Sequence, residues 1–260
     1  MMTDITISYR ASSEHRFSLY ANEGDYIGGI LERSRSFYEI LLLERHLAMY
    51  GSPSQVVDIG TNIGNHTIFW TGVLGARVIA FEPHPEIFHV LKKNIARNHL
   101  EHLAELCNLA CGACEKSATM ETPVASNCGT SRIQPESPGV GNDAVRIKQS
   151  TLDQQLVSRE DLKSIDLIKI DTEGYEYEVL LGATEILKHY QPNIWIEVTD
   201  ATKQPCSDLL RSLGYLHRSA PMGGSDNFFF STRAPNPMAP IRAKLYGSQD
   251  RGMLSKILRR

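Results

Sequence analysis

The stretch VVDIGTNIGNHT, residues 56–67, decides the fold of this chain. It is typical of an apolar strand that ends at an acidic residue and continues through two glycines into a helix. A second apolar strand, from Val78 to Phe81, is followed by Glu82. In an open α/β sheet this combination holds a nucleoside. Gly60 has no Cβ and lets backbone approach a ligand, the helix start offers free N–H groups, and the second carboxylate accepts from ribose hydroxyls. The spacing Asp-x-Gly-x-x-x-Gly differs from the dinucleotide fingerprint Gly-x-Gly-x-x-Gly, so it predicts a nucleoside pocket without indicating a reaction.

Length and composition indicate one large α/β domain, or one domain with appendages. The chain has 260 residues, of which 42% are apolar, and this suffices for a substantial core. Its net charge of −3 creates no overall field that favours nucleic acid, so we expect no nucleic-acid partner. The odd number of cysteines, the lack of a signal peptide and the absence of an apolar run of membrane-spanning length lead us to expect reduced thiols and a cytoplasmic protein.

Residues 235–260 form a basic tail after a proline-rich linker. From Pro240 onward six basic residues stand against one acidic residue, whereas the rest of the chain is acidic. Residues 251–260 place their apolar side chains on one helical face with basic residues opposite. This pattern is typical of a segment that contacts an anionic membrane surface or a partner, and equally of a frayed, solvated terminus. Both interpretations stay open, and the sequence does not indicate an oligomeric state.

Apolar runs and helical periodicity alternate along most of the chain, which predicts right-handed crossovers and a parallel sheet. The last two strands look like an antiparallel hairpin joined by a Gly-Gly-Ser loop. Residues 115–150 are rich in Ser, Pro, Gly and Asn and predict an irregular lid or substrate segment with a short β-prone piece at Ala144 to Lys148. Residues 1–30 show only a short strand near Ile5 to Tyr9. The predicted strands are 55–59, 77–82, 104–110, 165–171, 193–198, 215–219 and 227–231, and the predicted helices are 37–50, 64–74, 85–98, 176–188 and 204–213.

A second acidic strand end lies in IKIDTEGYE, residues 168–176. Its apolar residues predict a buried parallel strand with Asp171 at the carboxyl end. In a doubly wound sheet, ligands bind where the strand order reverses, and this rule places Asp171 beside Gly60. Lys169 lies two residues earlier and therefore on the same side of the strand, which predicts an ordinary structural ion pair with Asp171. Glu176 is expected to face solvent from the first turn of the next helix.

These motifs together resemble the FkbM family of S-adenosylmethionine-dependent methyltransferases. The resemblance runs from about Val56 to Phe230 and implies the class I methyltransferase fold, an α/β, Rossmann-like, seven-stranded sheet that is mostly parallel with an antiparallel final hairpin. It also implies methyl transfer to oxygen, commonly on sugars or polyketide-type natural products. On this basis we expect an N-terminal extension (1–50) with a helix over the pocket, a methyltransferase domain (51–234) and the basic tail. The motifs that carry the resemblance are VVDIGTNIGNHT, VIAFEPHPE, LKKNIARN, STLDQQL, IDLIKIDTEGYEYEVLLGA and PNIWIEV.

The resemblance also implies roles for individual residues. Asp58, Gly60 and Asn62 line the methionine part of the cofactor, and Glu82 holds the ribose. Three residues are expected to face the substrate: Asn127, Glu197 and Asn227. The full set of expected cofactor residues is Asp58, Gly60, Asn62, Gly64, His66, Thr67, Glu82 and Asn108.

Two details concern residues near the predicted pocket. Where the family often has an acidic residue near adenine, this chain has Cys111-Gly112-Ala113-Cys114, so adenine recognition is assigned to Asn108 or to backbone. No second cysteine pair or histidine cluster follows this CxxC at zinc spacing, which argues against a zinc site. His66 is interpreted as a first-turn helix residue near the cofactor, with a catalytic base as the alternative, and His84 as a residue on the pocket rim.

A sugar hydroxyl is a weak nucleophile, so methyl transfer to it needs a base within hydrogen-bond reach. Asp171 is the first candidate for this base and Glu173 the second. The alternative for Asp171 is to cap the next helix. A further alternative is Mg²⁺ held by Asp171 and Glu197, with Asp200 beyond, since hard oxygen ligands suit this ion and it would lower the pKa of the hydroxyl.

Two other functions compete with methyl transfer. The first is an NAD(P)-dependent oxidoreductase on the same type of sheet, which the glycine spacing and the final hairpin disfavour. The second is a non-catalytic nucleoside-binding module that keeps the cofactor fold. In every case the small-molecule or glycan substrate itself is not indicated by the sequence.

Overall fold

The computed structural model of the chain describes residues 2–10, 13–121, 132–134, 145–219 and 226–236. Within these residues, strands and helices alternate as the apolar patterns predict. In chain order the elements are β1 (Met2–Arg10), β2 (Glu14–Asn22), α1 (Tyr26–Ser34), α2 (Ile40–Tyr50), β3 (Gln55–Ile59), α3 (Asn65–Ile68, continued by a π-helical turn, Phe69–Val73), β4 (Arg77–Phe81), α4 (Pro85–Arg97), β5 (Ala104–Cys107), β6 (Ala110–Cys111), β7 (Lys116–Glu121), β8 (Arg132–Gln134), β9 (Val145–Ser150), α5 (Leu152–Leu156), β10 (Leu167–Ile170), α6 (Glu176–Leu181), α7 (Thr184–Tyr190), β11 (Asn193–Glu197), α8 (Asp200–Ser212), β12 (His217–Arg218) and β13 (Asn227–Ser231).

Seven strands form the central sheet in the order β12-β13-β11-β10-β3-β4-β5. The pairs from β11 to β5 are parallel, whereas β13 runs antiparallel to both β11 and β12. This confirms the predicted α/β fold with its antiparallel final hairpin. The chain leaves β3 toward β4 on one side and later returns to β10 on the other side. The strand order therefore reverses between β3 and β10, which is where such sheets bind ligands.

Both faces of the sheet are covered, because residues of each inner strand alternate between two apolar clusters. On β3, Val56 belongs to the cluster formed with the N-terminal elements and α4, and Val57 to the cluster formed with α5 to α8. Since side chains on both faces are buried, the inner strands are continuous apolar runs, which is why the sequence revealed them. Among the described residues, no helix has both the length and the apolarity needed to cross a membrane.

The N-terminal residues form a hairpin, where the sequence indicated only a short strand. β1 and β2 pair antiparallel over their whole length and bury one face against the core. The backbone of β2 is held by two side-chain amides one helical turn apart, one on α4 and one at its C-cap. Asn94 accepts from Tyr20 N at 2.6 Å and donates to Tyr20 O at 3.0 Å, and Asn98 makes the same pair of bonds to Ser18. Such amides satisfy backbone groups that a neighbouring strand would otherwise pair.

Within residues 115–150, the predicted β-prone piece overlaps β9, but the other described parts, predicted to be irregular, form strands as well. β7, β8 and β9 form a four-stranded sheet with β6, in the order β6-β9-β7-β8. The predicted strand 104–110 is accordingly divided between the central sheet (β5) and this small sheet (β6). The small sheet buries its own apolar cluster, which includes Ala118, Met120 and Ile147. These strands were difficult to predict because only a few apolar residues alternate with polar ones in this segment, which is otherwise rich in Ser, Pro and Gly.

Two predicted helices differ in their bounds. The helix predicted over 176–188 is interrupted between α6 and α7 at Gly182, whose position for a Cβ lies 2.0 Å from Gly112 O. The helix predicted over 204–213 begins earlier, because Thr199 caps α8 through a reciprocal capping box with Thr202. Except for Pro235 and Asn236, the predicted basic tail lies outside the described residues.

Candidate active site

A cavity of about 440 Å³ lies at the carboxyl ends of β3, β4, β10 and β11, where the strand order reverses. Residues that follow each of these strands line it, as do Tyr26, Ile27 and Tyr38 from the N-terminal part of the chain. The N-terminal elements are therefore part of the site. The residues of the strand ends that line it are Gly60, Thr61, Asn62, Glu82, Asp171, Thr172, Glu173 and Glu197, together with His66 and Lys169.

At one end of the cavity, Glu82 is held by backbone. Its Oε2 accepts from Asn62 N and its Oε1 from His84 N, each at 2.9 Å. Asn62 has a left-handed backbone (φ 54°), and its own side chain accepts from Ile63 N at 2.7 Å. Burial raises the pKa of Glu82 to about 7, although these two backbone bonds oppose the rise. The carboxylate is therefore fixed in place with lone pairs left for a ligand hydroxyl.

The wall beyond Glu82 is apolar. Ile87, Leu109, Met120 and Ile133 line it. Asn108, which the sequence analysis assigned to adenine recognition, does not line the cavity: it is exposed, and its Nδ2 donates to Glu82 O at 2.8 Å and to the carbonyl after it at 3.0 Å. Its amide holds the turn that follows β4.

Gly60 is required by a contact between strands. Its φ is +78°, and a Cβ there would lie 1.7 Å from the backbone oxygen of Asp171. Gly60 N donates to Phe81 O, and Asp171 N donates to Ile59 O, both at 3.0 Å. Gly60 also lines the cavity, so the predicted approach of a ligand at this glycine stays a prediction beside its contact with the residue that follows β10. Gly64 is the N-cap residue of α3 and also has a positive φ, of 92°. A Cβ there would lie 2.7 Å from the side chain of Leu91, and the residue does not line the cavity.

Asp58 and Thr67 do not line the cavity either. Asp58 is fully buried, and its Oδ2 accepts from Thr67 Oγ1 at 2.7 Å. Burial raises the pKa of Asp58, which the ammonium of Lys169 and the bond from Thr67 oppose. Asp58 and Lys169 are direct neighbours across β3 and β10. Asp58, held by Thr67, therefore places a buried carboxylate beside the ammonium of Lys169 beneath the site.

At the other end of the cavity, Lys169 and Asp171 form the predicted ion pair, with Nζ and Oδ2 at 2.8 Å. Lys169 is only 2% exposed, and the charges of Asp171, Asp58 and Glu39 raise its pKa in spite of burial. It therefore keeps its proton. Glu197 lines the same end; burial first, and then the charges of Asp171 and Glu39, raise its pKa to about 8.

Glu173 occupies the turn between β10 and α6. It is exposed, lines the cavity and has a left-handed backbone with φ of 54°. The turn is shaped by Glu176, whose carboxylate accepts from Gly174 N at 2.7 Å, Thr172 Oγ1 at 3.1 Å and Thr202 Oγ1 at 2.8 Å. Glu176 is thus buried, and the prediction that it faces solvent is wrong.

Residues 58–219 match the family described as Methyltransferase FkbM domain. The chain belongs to this family. Over 158 residues it is 31% identical to Methyltransferase sdnD of Sordaria araneosa, covering 50% of this chain and 60% of that relative. Over 134 residues it is 31% identical to the hexuronic acid methyltransferase AglP of Haloferax volcanii, covering 50% of each. The chain thus matches little more than half the length of these relatives.

The fold of the FkbM domain is also found in a solved structure. A methyltransferase FkbM from Methylobacillus flagellatus KT superposes with a TM-score of 0.50 at 17% identity, over 69% of this chain and 44% of that one. At this identity the comparison supports the class I methyltransferase fold and nothing finer.

The two histidines near the strand ends differ from their predicted places. His84 was expected on the rim of the FkbM domain's pocket but is buried, and burial lowers its pKa. His66 lines the cavity, as expected of a residue near the cofactor, but it also lies 3.4 Å from Glu39. Asn227, expected to face the substrate, lies behind the cavity lining and donates to Glu39 at 3.1 Å. Asn127 lies outside the described residues.

Glu39 is the residue of this site that the sequence did not reveal. It precedes α2, its side chain is only 11% exposed, and its backbone is left-handed with φ of 56°. Burial raises its pKa to about 7, and Lys169 opposes the rise. It follows no strand and belongs to no motif of the FkbM family quoted above.

The residues do not fit the alternative of a magnesium site. In the part of the chain that the structure describes, no group of three or more His, Cys, Asp or Glu side chains is placed to hold a metal ion. Asp171, which the alternative required, is instead engaged by the ammonium of Lys169. Cys111 is buried and Cys114 exposed, and they form no such group either.

Proposed function

We propose that this chain transfers a methyl group from S-adenosylmethionine to a hydroxyl group of a sugar, glycan or related natural product. The observation that carries the proposal is the contact of Gly60 with Asp171. It brings the reactive strand end against the nucleoside-binding turn, in the same cavity as Glu82. Membership of the FkbM methyltransferase family supports the reaction class.

The lining of the cavity suits S-adenosylmethionine. Glu82, fixed by two backbone N–H groups, would accept from the ribose hydroxyls, and the apolar wall of Ile87, Leu109 and Met120 would enclose the adenine. Asn62 and the backbone after β3 would hold the methionine part. When bound, the cofactor supplies an electrophilic methyl group attached to a positively charged sulfur.

The other end of the cavity would handle the proton of the acceptor. Asp171 accepts the proton of the attacking hydroxyl, with Glu173 as the second candidate. Lys169 holds Asp171 in place at 2.8 Å and favours its ionised form by charge. Tyr26 and Tyr38 line the cavity and would pack against a bound acceptor, which would limit the access of competing water. No step requires a metal ion, so we expect activity to persist in EDTA.

A sugar acceptor is favoured by one comparison. The relative from Haloferax volcanii, 31% identical over half of this chain, is named a hexuronic acid methyltransferase. The match includes only half of that relative, so the acceptor of this chain is proposed by class alone.

Two measurements test the proposal. Calorimetry should show binding of S-adenosylhomocysteine and no binding of NAD(H). Incubation with methyl-labelled S-adenosylmethionine and a panel of sugars, nucleotide sugars, glycolipids and small alcohols should label at least one hydroxyl. Binding of NAD(H) in place of S-adenosylhomocysteine would favour the oxidoreductase. Tight cofactor binding with no labelled acceptor, and a biological role unaffected by Asp171→Asn, would favour the binding module.

A further inference from the structure

Two buried polar atoms of the site face each other without a hydrogen-bond partner among the described residues. They are Oε2 of Glu39 and Nε2 of His66, 3.4 Å apart. Both side chains are nine-tenths buried or nearly so, so water does not serve either atom freely. A carboxylate oxygen can only accept, whereas one nitrogen of a neutral imidazole carries a proton. A proton on Nε2 therefore faces an oxygen that can only accept, across an N–O distance of 3.4 Å that is longer than a usual hydrogen bond.

The chain places Glu39 here by a specific backbone contact. Asn65, which directly precedes His66, accepts from Tyr38 N at 3.0 Å and donates to Tyr38 O at 3.2 Å. This amide clamp, together with the left-handed backbone of Glu39, brings the start of α2 against the start of α3. The approach of Glu39 to His66 is therefore built by the fold and does not depend on a flexible side chain alone.

A chain of hydrogen bonds fixes the direction of each donor. The indole of Trp195 can only donate, and its Nε1 lies 2.6 Å from Oδ1 of Asn227. The Nδ2 of Asn227 then donates to Oε1 of Glu39 at 3.1 Å. With Oε1 occupied, Oε2 remains to accept from His66. The buried Trp195 thus determines which atom of each following side chain is the donor.

The surroundings keep the imidazole neutral. His66 is stacked on Trp70 and lies edge-on to Trp195, with ring centroids 5.7 and 5.2 Å apart. Burial and the ammonium of Lys169 lower its pKa. The charged and titratable groups around the pair are Tyr38, Lys169, Asp171 and Glu197. A neutral imidazole with its proton on Nε2 has a free lone pair on Nδ1.

We infer that Trp195, Asn227 and Glu39 hold His66 with its proton on Nε2, so that Nδ1 accepts the hydrogen bond of the hydroxyl group that is methylated. The inference rests on the proposed function and names His66, in place of Asp171, as the group that receives the proton, with Asp171 held by Lys169 so that it orients the acceptor. As the hydroxyl oxygen bonds to the methyl carbon, the carbon–sulfur bond breaks with its electron pair on sulfur, and the hydroxyl proton moves to Nδ1. Glu39 is a positioning residue that fixes the ring and stabilises the resulting imidazolium.

The variant Glu39→Gln tests this arrangement with little change in shape. Because Trp195 fixes the orientation of Asn227, the new amide must present its oxygen to Asn227 and its NH₂ group to His66. A donor facing Nε2 forces the imidazole proton onto Nδ1, where it blocks the lone pair. We expect nitrogen NMR of labelled protein to show His66 protonated on Nε2 in the wild type and on Nδ1 in the variant. His66→Gln assigns the signals, and His46, which is buried outside the cavity lining, serves as the unchanged reference.

The kinetic result separates a catalytic role from a structural one. We expect kcat to fall about 100-fold or more in Glu39→Gln, the usual contribution of a positioned general base, with affinity for S-adenosylhomocysteine unchanged. Glu32→Gln, an exposed carboxylate on α1, should leave both unchanged. If Glu39→Gln does not fold, His66→Gln should show the same loss of kcat at saturating S-adenosylmethionine, where a change in cofactor affinity does not enter.

The outcomes of this test are distinct from those of the proposed function. Wild-type kcat in a folded Glu39→Gln variant, or a wild-type His66 protonated on Nδ1, would overturn the inference while leaving methyl transfer intact. If the wild type methylates no hydroxyl, the proposed function fails and the catalytic role fails with it. The NMR measurement would then still establish or refute the hydrogen-bond chain.

Discussion

Replacing Gly60 with alanine should damage both the stability of the chain and its cofactor binding. The added Cβ would lie 1.7 Å from Asp171 O, whereas real Cβ contacts essentially never fall below 3.0 Å. The backbones after β3 and β10 must therefore separate by about 1.3 Å, which a close-packed interior resists. The left-handed backbone adds about 1–2 kcal/mol for any residue with a Cβ, and overpacking typically adds about 1–3 kcal/mol. We expect a loss of about 2–5 kcal/mol in the free energy of unfolding.

Gly75→Ala is the matched control. Gly75 has a similar backbone, with φ of +69°, but a Cβ there would meet nothing within 4 Å. It should lose only the conformational part, about 1–2 kcal/mol. Urea unfolding of both variants isolates the effect of the contact with Asp171, and calorimetry with S-adenosylhomocysteine should show weakened binding for Gly60→Ala alone. If the two variants are destabilised equally, within about 0.5 kcal/mol, the reasoning about the strand contact is refuted.

Three further changes probe the charges of the site. Glu82→Gln should weaken S-adenosylhomocysteine binding about tenfold or more in calorimetry, because an amide cannot accept through both of its polar atoms; Glu86→Gln, exposed on α4, is the control, and equal affinities would contradict the ribose contact. Lys169→Met should cost about 3–5 kcal/mol in urea unfolding by leaving buried carboxylates unpaired, and adding Asp58→Asn should recover part of this loss; no recovery would contradict the pairing. Glu197 has a folded pKa of about 8, above its usual 4.5, so the folded state holds a proton that the unfolded state releases. Its contribution to stability is therefore present at low pH and lost as pH rises from 4.5 to 8. Between pH 6.5 and 8 the wild type should lose about 1 kcal/mol or more relative to Glu197→Gln, and parallel pH profiles would show that its pKa is not raised.

The ends of the inner strands could be predicted from the sequence. Buried parallel strands are continuous apolar runs, so the polar residue that ends each run marks the edge of the sheet. This rule identified Glu82 and Asp171, and the reversal of strand order placed them at one cavity. The ion pair between Lys169 and Asp171 followed from strand alternation alone.

Residues whose position depends on tertiary contacts could not be predicted. Glu39 reaches the site because Asn65 clamps the neighbouring backbone, a contact between residues 27 apart in sequence. Glu176 was expected to face solvent because helical periodicity alone places charged first-turn residues outside, but its three donors come from the preceding turn and from α8. Asp58 belongs to the nucleoside motif yet lies beneath the cavity, because alternation along β3 directs its side chain toward Lys169.

The central claim is that one cavity joins a cofactor-binding end to the end beside Asp171, where the acceptor hydroxyl loses its proton. Single-turnover methyl transfer from labelled S-adenosylmethionine, measured together with S-adenosylhomocysteine affinity in Asp171→Asn, tests it most directly, and Asp208→Asn, exposed on α8, is the control. We predict that Asp171→Asn binds the cofactor product as the wild type does but transfers methyl about 100-fold more slowly or worse. The account would be contradicted if Asp171→Asn transferred methyl at the wild-type rate. It would also be contradicted if the variant lost affinity for S-adenosylhomocysteine and its slower transfer were fully explained by that loss.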